Sequence, residues 1–308
     1  MGEGPVGEVG EAPVGEGPVG EASVHGPTWV KAPVAPGEDD SMVRLPGGTF
    51  QMGSGSPEKR NEEGPVREVT VKPFAVDKYP VTNRDFRMVL EGCHQFGFNL
   101  VSFLSQSAPW WLPIEKAFWR QPAGPGSTIK DRLDYPVLHV SWNDARAFCA
   151  WKGKRLLAEE EWEFAARGGL EQRMYPWGNK FQANRTNLWQ GNFPRVDTAE
   201  DGYHGVSPVA AFPPQNSYGL YDLLGNTWEW TASEYLTPGL SSRQRAQNMQ
   251  VLRGASWIDT ADGSANHKAC VTTRMGNTPD SASDNLSFRC AVDIPPATAK
   301  KSRTKPEL

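Results

Sequence analysis

Gly219-Leu-Tyr-Asp-Leu-Leu-Gly-Asn-Thr-Trp-Glu-Trp230 carries the most information of any stretch in the chain. Two glycines punctuate it and two tryptophans close it. Its only charged groups, Asp222 and Glu229, are both acids. Gly225 permits a turn with positive φ, which points backbone carbonyls toward the same side as the carboxylates. Hard cations such as calcium ask for several oxygens drawn from carboxylates, carbonyls and water. Asp222 and Glu229, with the carbonyls of Gly225 and Thr227, meet that demand. The same pattern also suits a surface turn with two solvated acids, and these residues alone leave both readings open.

Composition narrows the class around this stretch. The chain has 308 residues, room for one large domain or two ordinary ones. A formal net charge of −4 gives no general attraction to nucleic acid or anionic membrane. Twelve Trp with 31 Gly and 26 Pro point to a loop-rich fold pinned by aromatics rather than by long helices. No run approaches the roughly 18 apolar residues of a membrane span.

Variants of Gly-Glu-Gly-Pro-Val-Gly-Glu recur through Ala22, and residues 1–40, too poor in apolar surface to offset chain entropy, are expected to be disordered. They show neither the basic start nor the apolar stretch of a secretory leader. The folded domain is expected over 41–293, followed by a flexible tail over 294–308.

Within the domain, Met42 to Gly53 reads as a strand, a Pro-Gly-Gly turn and a second strand. Arg67 to Asp77 alternates like a strand. Thr82 is an N-cap for a helix that opens near Asn83. Met88 to Pro109 shows no clear period, and Trp110-Trp111 begins a second aromatic cluster. Pro136-Val-Leu-His-Val140 reads as a short strand, with His139 a structural histidine. Ser141 caps a helix over about Asn143 to Lys152, which Gly153 ends. A further helix, about Glu159 to Arg167, carries three leading glutamates suited to the positive end of its dipole. The remainder reads as turns, short strands and tryptophans.

The four cysteines, Cys93, Cys149, Cys270 and Cys290, have no metal-finger spacing. The five histidines form no metal pair and no nucleophile elbow.

A set of motifs now joins the opening stretch. Gly47 to Gly53, Pro80 to Asn83, His139 to Ala145, Gly153 to Leu156, Glu160 to Gly168 and Tyr175 to Asn179 precede it; Arg253-Gly-Ala-Ser-Trp257 and Phe288-Arg-Cys290 follow it. In this order, over about residues 42 to 293, they resemble the formylglycine-generating (sulfatase-modifying factor) family. Within it the chain is most similar to the non-catalytic branch, through Trp110 to Gly126 and Asn277 to Asn285. The resemblance implies an irregular α+β fold with sparse secondary structure, distantly like C-type lectins.

It also implies two structural calcium ions. One matches Asp222, the carbonyls of Gly225 and Thr227, and Glu229. The other matches Asn187, the carbonyl of Leu188, Asp201 and the carbonyl of Tyr203; the turn at Ala199 to Gly202 allows such oxygens to converge. Glu200 reads as a solvated neighbour. Cys149 and Cys290 match a bridging pair of the family, which leaves Cys93 free.

Active members of the family bind copper(I) through a closely spaced thiolate pair and use dioxygen to oxidise a sulfatase cysteine to formylglycine. Here Asp259 stands where the first cysteine belongs, and Asn266 near the second. Neither is a soft ligand, so no copper is expected. Cys270 sits where relatives carry arginine, and a lone thiol cannot form the pair. The resemblance thus implies a pseudoenzyme that binds sulfatases or the active paralogue, with homodimerisation a further expectation. The alternative is an active oxidase with displaced thiols; a calcium-dependent lectin-like module is a third reading. Asn184-Arg-Thr186 is a glycosylation sequon. Lys305-Pro-Glu-Leu308 is similar to a retrieval signal. With the disulfide, these imply residence in the endoplasmic reticulum lumen, conditional on a leader that the sequence given does not show. Three departures from the family pattern stand out. Residues Met88 to Pro109 are shorter than, and unlike, the helix-containing segment of the non-catalytic branch. Ala158 lacks the usual N-cap hydroxyl, and Ser287 replaces a glycine, a strained choice if φ there is positive.

Overall fold

Lys72-Pro73 breaks the first long extended run, because proline has no N–H to give a ladder. The result is two strands, β3 (Arg67–Val71) and β4 (Phe74–Asp77), which belong to different sheets. The computed structural model describes residues 40–55, 63–88, 114–236 and 248–295. The expectations for residues 1–39, for Cys93, for Trp110-Trp111 and for residues 296–308 lie outside these.

Strands β1 (Met42–Leu45) and β2 (Gly48–Met52) flank the expected turn, but they do not pair with each other. Strand β1 runs antiparallel to β4, and β2 antiparallel to β3. The turn between them uses Gly47 at φ 67°, where a Cβ would come within 2.4 Å of the Val71 carbonyl oxygen. That close approach requires glycine and throws β2 onto its own two-stranded ribbon.

Helix α1 (Asn83–Arg87) starts at Thr82, and α2 (Trp142–Trp151) at Ser141. Both carry a reciprocal capping box, closed by Asp85 and Asp144 respectively. Strand β5 (Arg155–Leu156) leads into α3 (Glu159–Arg167), which ends at Gly168 in the left-handed region. Ala158 offers α3 no side-chain cap. The Glu161 carboxylate returns to the Ala158 N–H at 2.8 Å, and Ser233 Oγ accepts the Glu159 N–H at 2.9 Å. Two orphan donors at that helix end are thereby satisfied from elsewhere.

Pro136 to Val140 is not a strand. It makes a single bridge to Thr82, and His139 takes φ 54°, which ends the extended geometry. The His139 ring sits 2.8 Å from the Pro122 carbonyl oxygen, and burial pushes its pKa down, as befits a structural histidine.

Beyond α3 come a short ribbon of β6 (Gly191–Asn192) and β7 (Val196–Asp197), then β8 (Trp228–Glu234), β9 (Gln250–Arg253), β10 (Arg274–Asn277), β11 (Leu286–Ser287) and β12 (Cys290–Asp293). One four-stranded sheet has the order β1-β4-β12-β5, the other β10-β9-β8-β11, with β11 parallel to β8. Ser287 lies in β11 without positive φ, so the expected strain is absent. The architecture is α+β with short, mixed sheets.

Strand β12 carries Cys290 to Cys149 on α2, and the two form a disulfide with Cα atoms 5.6 Å apart. Buried Trp230 and half-buried Trp142 fasten the sheets. Trp230 Nε1 donates to the Val140 carbonyl at 3.1 Å, and Trp142 Nε1 to the Thr231 carbonyl at 2.8 Å. Among the described residues, no helix is long and apolar enough to cross a membrane.

Candidate functional site

The loop Asp222 to Thr227 runs directly into β8, so its geometry is set by a central strand. Asp222, Gly225 and Asn226 all take positive φ. At Gly225 a Cβ would meet Thr186 Oγ1 at 2.3 Å and the Asn187 carbonyl oxygen at 2.5 Å. Only glycine lets this loop press against the second loop, which contains Asn187.

Asn226 knits the two loops together. Its backbone N–H donates to the Asn187 carbonyl at 2.9 Å. Its Oδ1 accepts from Asn187 Nδ2 at 3.1 Å and from the Ser207 N–H at 2.9 Å. Its Nδ2 donates to Asp222 Oδ2 at 2.9 Å and to the Ser207 carbonyl at 3.1 Å. Sequence reading passed over Asn226. An asparagine directly after the positive-φ Gly225 was the available signal.

In the first oxygen set, Asn187 spends Nδ2 on the Gly205 carbonyl and on Asn226. Asp201 accepts the Tyr203 N–H on Oδ1 at 3.0 Å and the Leu188 N–H on Oδ2 at 3.2 Å. The Asp201 carboxylate thus bridges the Leu188 and Tyr203 backbones, with Asn187 next to Leu188 in the chain. Burial pushes the Asp201 carboxyl up, and the hydrogen bonds only partly offset it. An amide oxygen, a carboxylate with spare lone pairs and two carbonyls suit a hard cation that would compensate that charge. Their donor types, an amide and a carboxylate oxygen with backbone carbonyls, are those that calcium takes.

The second set divides. Asp222 is fully enclosed, and burial pushes its carboxyl up to about 7, with Asn226 opposing the shift. A cation would suit it. Glu229 is spent otherwise. Arg289 grips both its oxygens, with Nη2 to Oε1 at 2.6 Å and Nε to Oε2 at 2.8 Å, and Trp162 Nε1 adds a bond at 2.9 Å. Arg289 also reaches the Tyr221 carbonyl at 2.7 Å, so it anchors the loop and the acid together. Glu229 is the member of the set that does not fit a calcium ligand. Among the described residues, no three His, Cys, Asp or Glu side chains converge as a metal-holding group; the first set draws its oxygens from amide and backbone as well.

Where the resemblance aligns the first thiol, Asp259 is wholly buried and accepts hydrogen bonds on both oxygens. Oδ2 accepts the Ser256 N–H at 2.7 Å and hydroxyl at 2.9 Å; Oδ1 accepts the His267 N–H at 3.0 Å and lies 3.1 Å from its Nδ1. The His267 ring stands edge-on to Trp228 at 4.9 Å. Asn266 Nδ2 donates to the Ile258 carbonyl at 2.8 Å. Where a thiol pair would bind a soft metal, this chain has a closed network of hard donors and acceptors. Cys270 lies outside it, near Thr272, Thr273 and Glu63; burial, then the Glu63 charge, push its thiol up. Asn184 is exposed on a short 3-10 turn, and the sequon's Thr186 is buried against Leu224.

Known proteins are similar to this chain in sequence and in fold. The profile of the sulfatase-modifying factor enzyme 1-like domain matches residues 30–294. "Inactive C-alpha-formylglycine-generating enzyme 2" of Bos taurus is 66% identical over 274 residues, covering 83% of this chain and 89% of the bovine protein. The "Formylglycine-generating enzyme" of Mus musculus is 44% identical over 280 residues, covering 82% and 75%. The solved structure of PvdO from Pseudomonas aeruginosa superimposes with a TM-score of 0.61 at 26% identity, covering 82% of this chain and 94% of PvdO. A profile spanning most of the chain, the identity to both kinds of relative and the shared fold together make this chain a member of the formylglycine-generating (sulfatase-modifying factor) family.

Proposed function

We propose that this chain is a catalytically silent member of its family. It binds sulfatases, the active paralogue, or both, and limits formylglycine formation in the endoplasmic reticulum lumen. The observation that carries the reading is Asp259, buried and fully hydrogen-bonded in place of the first thiol, with Asn266 bonded to backbone at the second position. A hard carboxylate already saturated by Ser256 and His267 cannot hold the soft metal that oxygen chemistry needs. The name of the bovine relative supports the same reading. The exposed Asn184 and the Cys149–Cys290 bridge support residence in an oxidising, glycosylating compartment.

The activity test supplies purified protein with copper, reductant, oxygen and a sulfatase Cys-x-Pro-x-Arg peptide. Mass spectrometry is expected to show no aldehyde, while the peptide is retained on immobilised protein and excess protein slows an active relative. Aldehyde that disappears with Cys270→Ser reverses the catalytic reading; absence of retention and of inhibition removes the binding one.

We further propose a structural calcium ion on Asn187, Leu188, Asp201 and Tyr203. Asp222 supports a second ion, and the occupied Glu229 carboxylate does not. A cation bound only by the native state stabilises it by about 2.7 kcal/mol at a hundredfold excess over Kd. A chelator is expected to lower the melting temperature of the parent protein, and Asp201→Ala to lose the part of that shift that the Asn187 and Asp201 site contributes. Equal melting of the parent with and without chelator, and no calcium by elemental analysis, reject the site.

A further inference from the structure

A run of polar side chains donates toward Asp259 and opens to solvent at one residue. Ser283 Oγ donates to Asn285 Oδ1, Asn285 Nδ2 to Ser256 Oγ at 3.1 Å, and Ser256 Oγ to Asp259 Oδ2 at 2.9 Å. The Ser256 and His267 N–H groups also end on the acid. A carboxylate that only accepts leaves one reading of its last contact, His267 Nδ1 at 3.1 Å: that nitrogen carries the proton. The other ring nitrogen, Nε2, then presents a lone pair. No hydrogen bond among the described residues takes it up. Trp228 stands edge-on to the ring at 4.9 Å and helps to fix its plane. The acid is 1% exposed and the imidazole 27%, so the orienting group is sealed and the oriented one is within reach of a ligand. His267 directly follows Asn266, the position aligned with the second thiol.

We propose that His267 reads the cysteine of a bound sulfatase segment by taking its thiol proton on Nε2, which leaves a thiolate–imidazolium pair. The inference rests on the sulfatase-binding reading above and names the residue that gives that binding its specificity. One proton moves from the ligand sulfur to His267 Nε2. No bond to sulfur is made, no electron is transferred, and the cysteine departs as a thiol when the proton returns. Asp259, already on Nδ1, compensates the positive ring. A thiol beside a histidinium ionises well below its ordinary range, whereas a serine hydroxyl is far too weak an acid to follow, so the pair separates cysteine from serine. Holding the cysteine in this way does not oxidise it, which is what a silent relative that limits formylglycine formation requires.

The test titrates the full chain, without oxygen, with three Cys-x-Pro-x-Arg peptides that differ only at the first position: cysteine, serine or 2-aminobutyrate, which puts a methyl group where the thiol was. The cysteine peptide is expected to bind about tenfold more tightly than either of the others. His267→Phe should bring the three to one affinity, and its melting curve shows whether it folds. With nitrogen-labelled histidine in mildly alkaline buffer, nuclear magnetic resonance should find both His267 ring nitrogens protonated in the cysteine complex and Nδ1 alone in the serine complex. Equal affinity of the parent protein for all three peptides overturns this inference and leaves sulfatase binding standing. A 2-aminobutyrate peptide that binds as tightly as the cysteine one also overturns it, because an apolar pocket would then read the residue. Binding of none of the three removes the sulfatase-binding reading, and this inference with it.

Discussion

Glu229 and Arg289 show how one residue pair can settle a role. The acid and the guanidinium are buried, at 1% and 0% side-chain exposure, and sit 2.6 Å apart at Oε1 and Nη2. Removing one partner of such a pair leaves an uncompensated charge, typically at a cost of about 3–5 kcal/mol. Arg289→Met is therefore expected to destabilise the protein by that order in urea unfolding. Glu229→Gln should cost a similar amount with or without a chelator, because its main partner is arginine. A loss from Glu229→Gln that vanishes in chelator would restore Glu229 as a calcium ligand. Asp259 belongs to the same class of residue, one whose buried hydrogen bonds define it more closely than its formal charge.

Helix α3 is the element on which the buried charge converges. Its glutamates do more than face the helix dipole. Arg253 joins Glu159 and Glu163 at 2.7 Å each, Arg274 grips Glu159, Arg155 pairs with Glu161, and Arg67 with Glu160. The helix is thus bound to β9, β10, β5 and β3. Its start is held by Ser233 and Glu161 in place of a cap side chain. Ala158→Thr supplies the missing cap hydroxyl at the first turn and is expected to stabilise by about 1 kcal/mol. Ser233→Ala should cost about 1 kcal/mol. Both are read from urea midpoints. No change in either would mean that α3 is held by its ion pairs alone.

For the whole molecule, the Cys149–Cys290 bridge spans 141 residues and joins α2 to the strand at the heart of one sheet. In the chain-entropy account, closing so long a loop stabilises by about 5 kcal/mol, less any native strain. The Cys149→Ala, Cys290→Ala double variant is expected to melt well below the parent in calorimetry, with the fold's α+β circular dichroism retained at low temperature. A double variant that melts with the parent would show that the sheets and the buried ion pairs hold the molecule without the bridge.

Local signals were legible because they act over a few residues. Thr82, Ser141, Gly153 and Gly168 mark helix ends through bonds to neighbours three or four positions away, and α3 lies where its pattern placed it. The joint order of motifs carried the family. Pairing was not legible. Strands β1 and β2 look like a hairpin until Gly47, pressed on the Val71 carbonyl, sends them to separate sheets. Pro136 to Val140 looks extended until His139 turns. The cationic partner of Glu229 lies 60 residues away, and that of Glu159 in Arg253 lies 94 away. Capping and periodicity depend on spacing along the chain, which the sequence states outright. Sheet choice and charge pairing depend on which groups packing brings together and strips of water, and only the tertiary structure decides that.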